Sequence, residues 1–244
     1  MLTKKIASFV IFVSTVLFVS SLSAQQTRIA PVAPSESIPN LGPMLDRVNT
    51  LKSELREYHA CTCKCGCYAK DVDLEADRAI AFLRTRASHT RSAEKLALVL
   101  DIDETTLSNW DQMSAANFEY NSRDFNAWIA SAQAPPIPGT LRVYDEAQRL
   151  GVSIFFLTGR SDSQRASTET NLRLRGFSKW QQLIMRTPGQ KGTSALAFKS
   201  AERAKIIAAH YSIILNIGDQ WSDLNGNPKA EYSVKYPDPF YFIR

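Results

Sequence analysis

The chain has 244 residues, 44% hydrophobic and 22% charged, which is the ordinary globular range and is long enough to bury a sizeable core in one catalytic domain. Its formal charge is +5, with no run of Lys or Arg longer than two and no interleaving of aromatic and basic residues, which excludes a nucleic-acid polymer as partner. So mild a surplus suits small anionic substrates instead.

Lys4 and Lys5 precede the apolar run Ile6 to Val19, and small and polar residues follow through Ala24, the pattern of a secretory signal peptide over 1–24. The run is 14 residues, short of the roughly 20 that a spanning helix needs, so the expectation is cleavage after Ala24 and no stable membrane span. An uncleaved anchor is the alternative. Residues 1–24 hold two lysines and no acid, so cleavage takes the charge from +5 to +3. The mature protein is expected in the periplasm or outside the cell.

Residues 25–43 carry Pro31, Pro34, Pro39 and Pro43 among Ser and Gln, which predicts a linker. Met44, Leu45, Val48, Leu51 and Leu55 recur at helical spacing, as do Val72, Leu74, Ala76, Ala79, Ile80 and Leu83, giving a helical lead-in to a domain over 44–244. Between the two lie Cys61, Cys63, Cys65 and Cys67. Export makes oxidation the default, but a bridge between residues two apart is geometrically awkward. Pairs four or six apart, bridges between chains and a bound soft metal all stay open.

Four apolar runs read as buried parallel strands, namely Leu96 to Leu100, Val152 to Leu157, Leu183 to Met185 and Ile213 to Ile217. Tyr232, Val234 and Tyr236 alternate like an edge strand. Strands separated by helices predict an α/β fold with helices on both faces of the sheet. The segment 107–138 interrupts the alternation with Trp110, Phe118, Tyr120, Phe125 and Trp128, and reads as a small insertion over the active site or as aromatics packed on the sheet.

Candidate chemistry collects at strand ends, where open α/β sheets place their sites. The first run delivers Asp101-Ile102-Asp103-Glu104-Thr105, and the fourth delivers Gly218-Asp219-Gln220-Trp221-Ser222-Asp223. Either acidic group alone is explained by a solvated turn. Together they offer oxygen ligands for a hard cation, and Mg2+ binds through a few carboxylates, water and substrate phosphate. The second run ends in Thr158-Gly159-Arg160, whose hydroxyl and backbone amides suit phosphate oxygens. Lys199, at the start of a helix expected over 201–209, could supply an ammonium, although on its own a lysine there reads more readily as a surface residue.

These segments, with Thr106-Leu107-Ser108-Asn109, Phe156-Leu157, Lys199-Ser200 with Arg203, Leu224 and the closing Pro237-Asp238-Pro239-Phe240-Tyr241, resemble the acid phosphatase branch of the haloacid-dehalogenase (HAD) superfamily. That branch includes bacterial exported enzymes and plant vegetative storage proteins. The resemblance implies a Rossmann-like three-layer sandwich with a mainly parallel sheet and a small cap. It implies that Asp101 attacks phosphorus to form an aspartyl-phosphate, while Asp103 protonates the leaving group and then activates water. Thr158, Gly159 and Lys199 would hold the phosphoryl group, and Mg2+ would be bound by the Asp101 carboxylate, the Asp103 backbone carbonyl, Asp219 and Asp223.

A carboxylate nucleophile approaching an anionic phosphate needs such cationic help. No Cys is followed by Arg six positions later and no Arg-His-Gly sequence occurs, so other phosphatase chemistries lack their parts. The expected function is an exported Mg2+-dependent acid phosphatase acting on small phosphate monoesters, nucleotides among the candidates. A phosphotransferase with the same site and a non-catalytic storage relative are the alternatives, and oligomeric state is left open.

Overall fold

The computed structural model describes residues 42–61, 67–91 and 93–243; the expected signal peptide, nearly all of the linker, and Cys63 and Cys65 lie outside these. Five strands form one parallel sheet: β1 (Lys95–Leu100), β2 (Ser153–Ser161), β3 (Gln182–Arg186), β4 (Tyr211–Gly218) and β5 (Tyr232–Lys235). Their order across the sheet is β3-β2-β1-β4-β5, so the four apolar runs are strands and the alternating piece is an edge strand. Register is set by pairs such as Leu100 with Phe156 of β2 and with Ile217 of β4.

Period-two alternation divides each central strand between two cores. Leu96, Leu98, Leu100, Ile154 and Phe156 face one cluster with Val72, Ala76, Val143 and Leu172. Ala97, Val99, Phe155 and Leu157 face the other with Phe198 and Ile206. On the first face lie α2 (Tyr68–Ser88), α5 (Pro138–Arg149) and α6 (Arg165–Leu174), and on the second α7 (Ala195–Ala208). Pro138 at the first turn of α5 suits its fixed φ. Gly139 lets α5 approach α2, since a Cβ there would lie 3.0 Å from the Ala76 Cβ.

The lead-in differs from expectation in one respect. α1 (Gly42–Ala60) begins two residues inside the expected linker, and its apolar stripe is left largely uncovered: Met44, Leu45, Val48 and Leu51 are 62%, 61%, 47% and 54% exposed. Only the later turns, with Leu55 and Tyr58, pack on the core. A disulfide, Cys61 to Cys67, ties the end of α1 to the start of α2, the six-residue spacing among those left open. Among the described residues no helix is long and apolar enough to cross a membrane.

The interruption after β1 contains α3 (Trp110–Ala115) and α4 (Ser122–Ser131). Its neck is pinched where Leu107 bridges Asp103 on one side and Pro136 on the other, with Ser108 N–H donating to the Pro135 carbonyl at 2.9 Å. The aromatics divide. Trp110 stacks on His59 of α1 at 3.6 Å between ring centroids and meets Phe240 edge-on, whereas Tyr120 is 78% exposed. Trp110 thus packs on the lead-in and the C-terminal segment, and it, Phe118 and Trp128 also border the core cluster on the first face of the sheet.

Candidate active site

The chain runs outward from β1 to β2 and β3 on one side and returns to β4 on the other, so the crossovers diverge between β1 and β4. A crevice opens at the carboxyl ends of strands at such a switch point. Asp101 leaves β1 there and Asp219 leaves β4, and a short helix α8 (Trp221–Leu224) brings Asp223 back to the same place. Carboxylate oxygens of Asp101, Asp219 and Asp223 lie within 4.8 Å of one another, all three residues buried. They sit in a cleft of about 700 Å³ whose walls include Asp103, Gly159, Arg160, Arg186 and Lys199 together with Phe118, Tyr120 and Phe125 of the insertion.

Lys199 departs from its expected setting. α7 starts at Ala195, capped by the Ser194 hydroxyl, which accepts from the Ala197 N–H at 3.2 Å; Lys199 therefore lies within the helix and is only 5% exposed. Its Nζ donates to Asp101 Oδ1 and Asp223 Oδ1, each at 2.5 Å. Burial opposes its charge, but the two carboxylates outweigh that and hold the ammonium protonated. Burial, together with the facing Asp223 and Asp219, pushes Asp101 well above the usual carboxylate range, with Lys199 pulling the other way. Asp219 is raised as well, by burial first and then by Asp223 and Asp238.

Asp103 is in the opposite state. Burial would raise it, but Arg160 donates through Nη2 at 2.7 Å and Nε at 3.1 Å, Asn109 Nδ2 adds a bond at 2.8 Å, and the carboxyl is held below its usual range. Two neighbouring carboxyls are thus driven apart, a pattern that occurs at acid/base sites. Thr158 is fully buried, with its hydroxyl accepting from Arg160 N–H at 3.1 Å, and Gly159 is exposed to the cleft.

The three carboxylates around Lys199 fit a metal by charge and donor type. With all four carboxyls ionised, Arg160 balances Asp103 and Lys199 balances one of the other three, leaving two negative charges in a buried all-oxygen cluster that a hard divalent cation would offset; without that cation, burial and mutual repulsion push Asp101 and Asp219 up.

Outer residues fix this geometry. Thr105 Oγ1 and Tyr241 OH donate to the two oxygens of Asp219, each at 3.0 Å, and Gln220 Nε2 links Asp219 to Asp238 at 2.8 and 2.7 Å. Arg203 donates to the carbonyls of Asp223 at 2.5 Å, Pro228 at 2.8 Å and Asn225. Sequence reasoning noted Arg160, Arg203, Asn109 and the closing segment only as parts of motifs: the partners of Arg160, Arg203 and Tyr241 are distant in the chain, and nothing local shows that Asn109 turns back onto Asp103. It did not single out Arg186, which nothing near it in sequence marks.

The family model of the HAD superfamily, subfamily IIIB (acid phosphatase), matches residues 32–244. The chain is 34% identical over 181 residues to Acid phosphatase 1 of Solanum lycopersicum, covering 73% of this chain and 65% of that protein, so it spans just under two thirds of that relative. It is 34% identical to the stem 28 kDa glycoprotein of Glycine max, covering 72% and 70%, and 30% identical to vegetative storage protein 1 of Arabidopsis thaliana, covering 59% and 54%. In fold it is similar to the class C acid phosphatase of Bacillus anthracis, with a TM-score of 0.64 at 20% identity over 80% of this chain and 87% of that one. The chain belongs to the HAD superfamily, subfamily IIIB, the acid phosphatase subfamily.

Proposed function

We propose that the protein is an exported, Mg2+-dependent phosphatase that hydrolyses small phosphate monoesters, nucleotides among them, through an aspartyl-phosphate on Asp101. The observation that carries this reading is the buried cluster of Asp101, Asp219 and Asp223 lining an open cleft, with Lys199 paired to Asp101 and Asp223. The apolar leader over 6–19 supports export, and the rings of Phe118, Tyr120 and Phe125 give the organic part of an ester an apolar wall.

In the first step an Asp101 carboxylate oxygen attacks phosphorus and the ester P–O bond breaks, with Asp103 giving its proton to the departing alkoxide. In the second, Asp103 takes a proton from water, which attacks phosphorus, releasing phosphate and restoring Asp101. Thr158 and the amides beside Gly159 hold phosphoryl oxygens, and Lys199 offsets their charge. Asp101, Asp219, Asp223 and the Asp103 carbonyl would hold Mg2+, which supplies Lewis-acid stabilisation of the phosphoryl charge. Arg160 keeps Asp103 ionised, the form that activates water; the proton donated in the first step must be gained against that field, which favours acidic conditions.

The test is phosphate release by the mature protein over a panel of monoesters, with Mg2+ or a chelator, beside Asp101→Asn. Metal-independent turnover, or an Asn variant as active as the parent, would sink the mechanism. Adding an alcohol acceptor separates hydrolysis from phosphotransfer. An intact nucleophile position argues against a storage role alone.

A further inference from the structure

Three cations line the cleft, Arg160, Lys199 and Arg186, and they are not in equivalent states. Arg160 is paired with Asp103, and Lys199 with Asp101 and Asp223. Arg186 forms no ion pair with any described residue. Its Nη1 donates to the carbonyls of Thr193 at 2.7 Å and Gln190 at 3.4 Å, which leaves Nε and Nη2 without a protein acceptor among the described residues. The guanidinium carbon lies over the Phe198 ring, 4.6 Å from its centroid, a contact that braces the side chain.

Position makes this surplus charge informative. Arg186 ends β3, which runs parallel to β2, so it emerges at the same edge of the sheet as Thr158-Gly159-Arg160. A Cβ built on Gly159 would lie 4.0 Å from Arg186 Nε, which sets the fork beside the segment read here as the phosphoryl cradle. Half-burial disfavours the charged form, as the lowering of the guanidinium from its ordinary value shows. A braced, partly desolvated guanidinium with two free donors is matched by an oxyanion, which a guanidinium binds through paired, charge-assisted hydrogen bonds.

We infer that Arg186 is a specificity residue forming a second anion subsite, so that the preferred substrates are phosphate monoesters bearing a further anionic group, a carboxylate or another phosphate. This rests on the phosphatase reading of the neighbouring site. The cleft has room for such an ester, since its volume of about 700 Å³ extends well beyond a bare phosphate.

The test compares kcat/KM for 4-carboxyphenyl phosphate and phenyl phosphate, with Mg2+, in the parent, Arg186→Met and Arg186→Lys. The parent is expected to favour the carboxylated ester by about tenfold, as charge-assisted hydrogen bonds warrant. Arg186→Met should bring the ratio to about one, and Arg186→Lys should keep part of the preference. A parent without preference, or an equal loss on both esters in Arg186→Met, overturns the subsite; equal loss is what a residue that merely holds the Gln190 and Thr193 carbonyls would give. If neither ester is hydrolysed, the phosphatase reading fails separately. Calorimetry with 3-phosphonopropionate and propylphosphonate then decides the subsite: tighter binding of the former, lost in Arg186→Met, supports it, and equal affinity overturns it.

Discussion

Trp128, on α4 of the insertion, donates its indole N–H to Asn109 Oδ1 at 2.8 Å, and the same Asn109 amide donates to Asp103 Oδ1 at 2.8 Å. The insertion therefore orients the proposed acid/base residue through one amide. Trp128→Phe keeps the ring and removes the donor. It should lower kcat/KM by about twofold to tenfold, the worth of one hydrogen bond, with little change in thermal midpoint. Steady-state kinetics beside a melting curve checks this, and a large fall in stability with unchanged kinetics would refute it.

Gly218 ends β4 against Asp223. An added Cβ would stand 2.7 Å from Asp223 Cγ and closer still to its Cβ, within a wall that cannot yield. Gly218→Ala is expected to cost about 1–3 kcal/mol in denaturant unfolding and to abolish phosphate release by displacing Asp223. Parent-like activity would show that α8 can shift.

Arg203 is fully buried, yet it serves carbonyls rather than carboxylates and so fixes the turn that carries Asp223. Replacing it with Met leaves those acceptors dry, at about 2–4 kcal/mol. In a chain of this length the thermal midpoint should fall by about 5–15 °C. A change of only a degree or two would mean that water replaces the guanidinium.

His59 stacks on Trp110, and burial lowers its pKa from 6.5 despite the opposing charge of Asp111. A histidine depressed in the folded state binds fewer protons than in the unfolded chain, so its contribution is complete above the unfolded value. It is lost as the pH falls below 6.5 toward the folded value. Urea midpoints of the parent and His59→Phe should keep a constant difference above pH 7, with the parent losing ground as the medium is acidified. Parallel curves from pH 7 to 5 would contradict the assignment.

Asp219 is raised by burial and by facing Asp223, so without a cation the cluster repels itself. Asp219→Asn should melt at or above the parent in chelator. Adding Mg2+ should raise the parent's midpoint, by mass action on the folded state, and leave the variant unmoved. An equal shift in both would place the ion elsewhere.

Much of this molecule was legible in its sequence because strands and their ends are local features. Leu96 to Leu100, apolar at every position, and Ile213 to Ile217, apolar at all but Asn216, become central strands since such runs can only be buried on both faces. The acids that follow them inherit a place at the carboxyl edge of the sheet. Helix α7 begins six residues before the expected start at 201, because a buried lysine does not mark a core face until its carboxylate partners are known. The stripe on α1 misled for the opposite reason, since helical spacing of apolar residues says nothing about whether a surface exists to cover them.

What the sequence alone determined is the set of groups brought to the site and the strands that carry them. What only the tertiary structure decided is their pairing and therefore their charge. Arg160 sits 57 positions from Asp103, and Lys199 sits 98 from Asp101, so no local pattern reveals that one carboxyl is held ionised and the other pushed up. Protonation depends on distances of a few ångström and on exclusion of water, and both exist only once the strand order has brought β1 and β4 side by side.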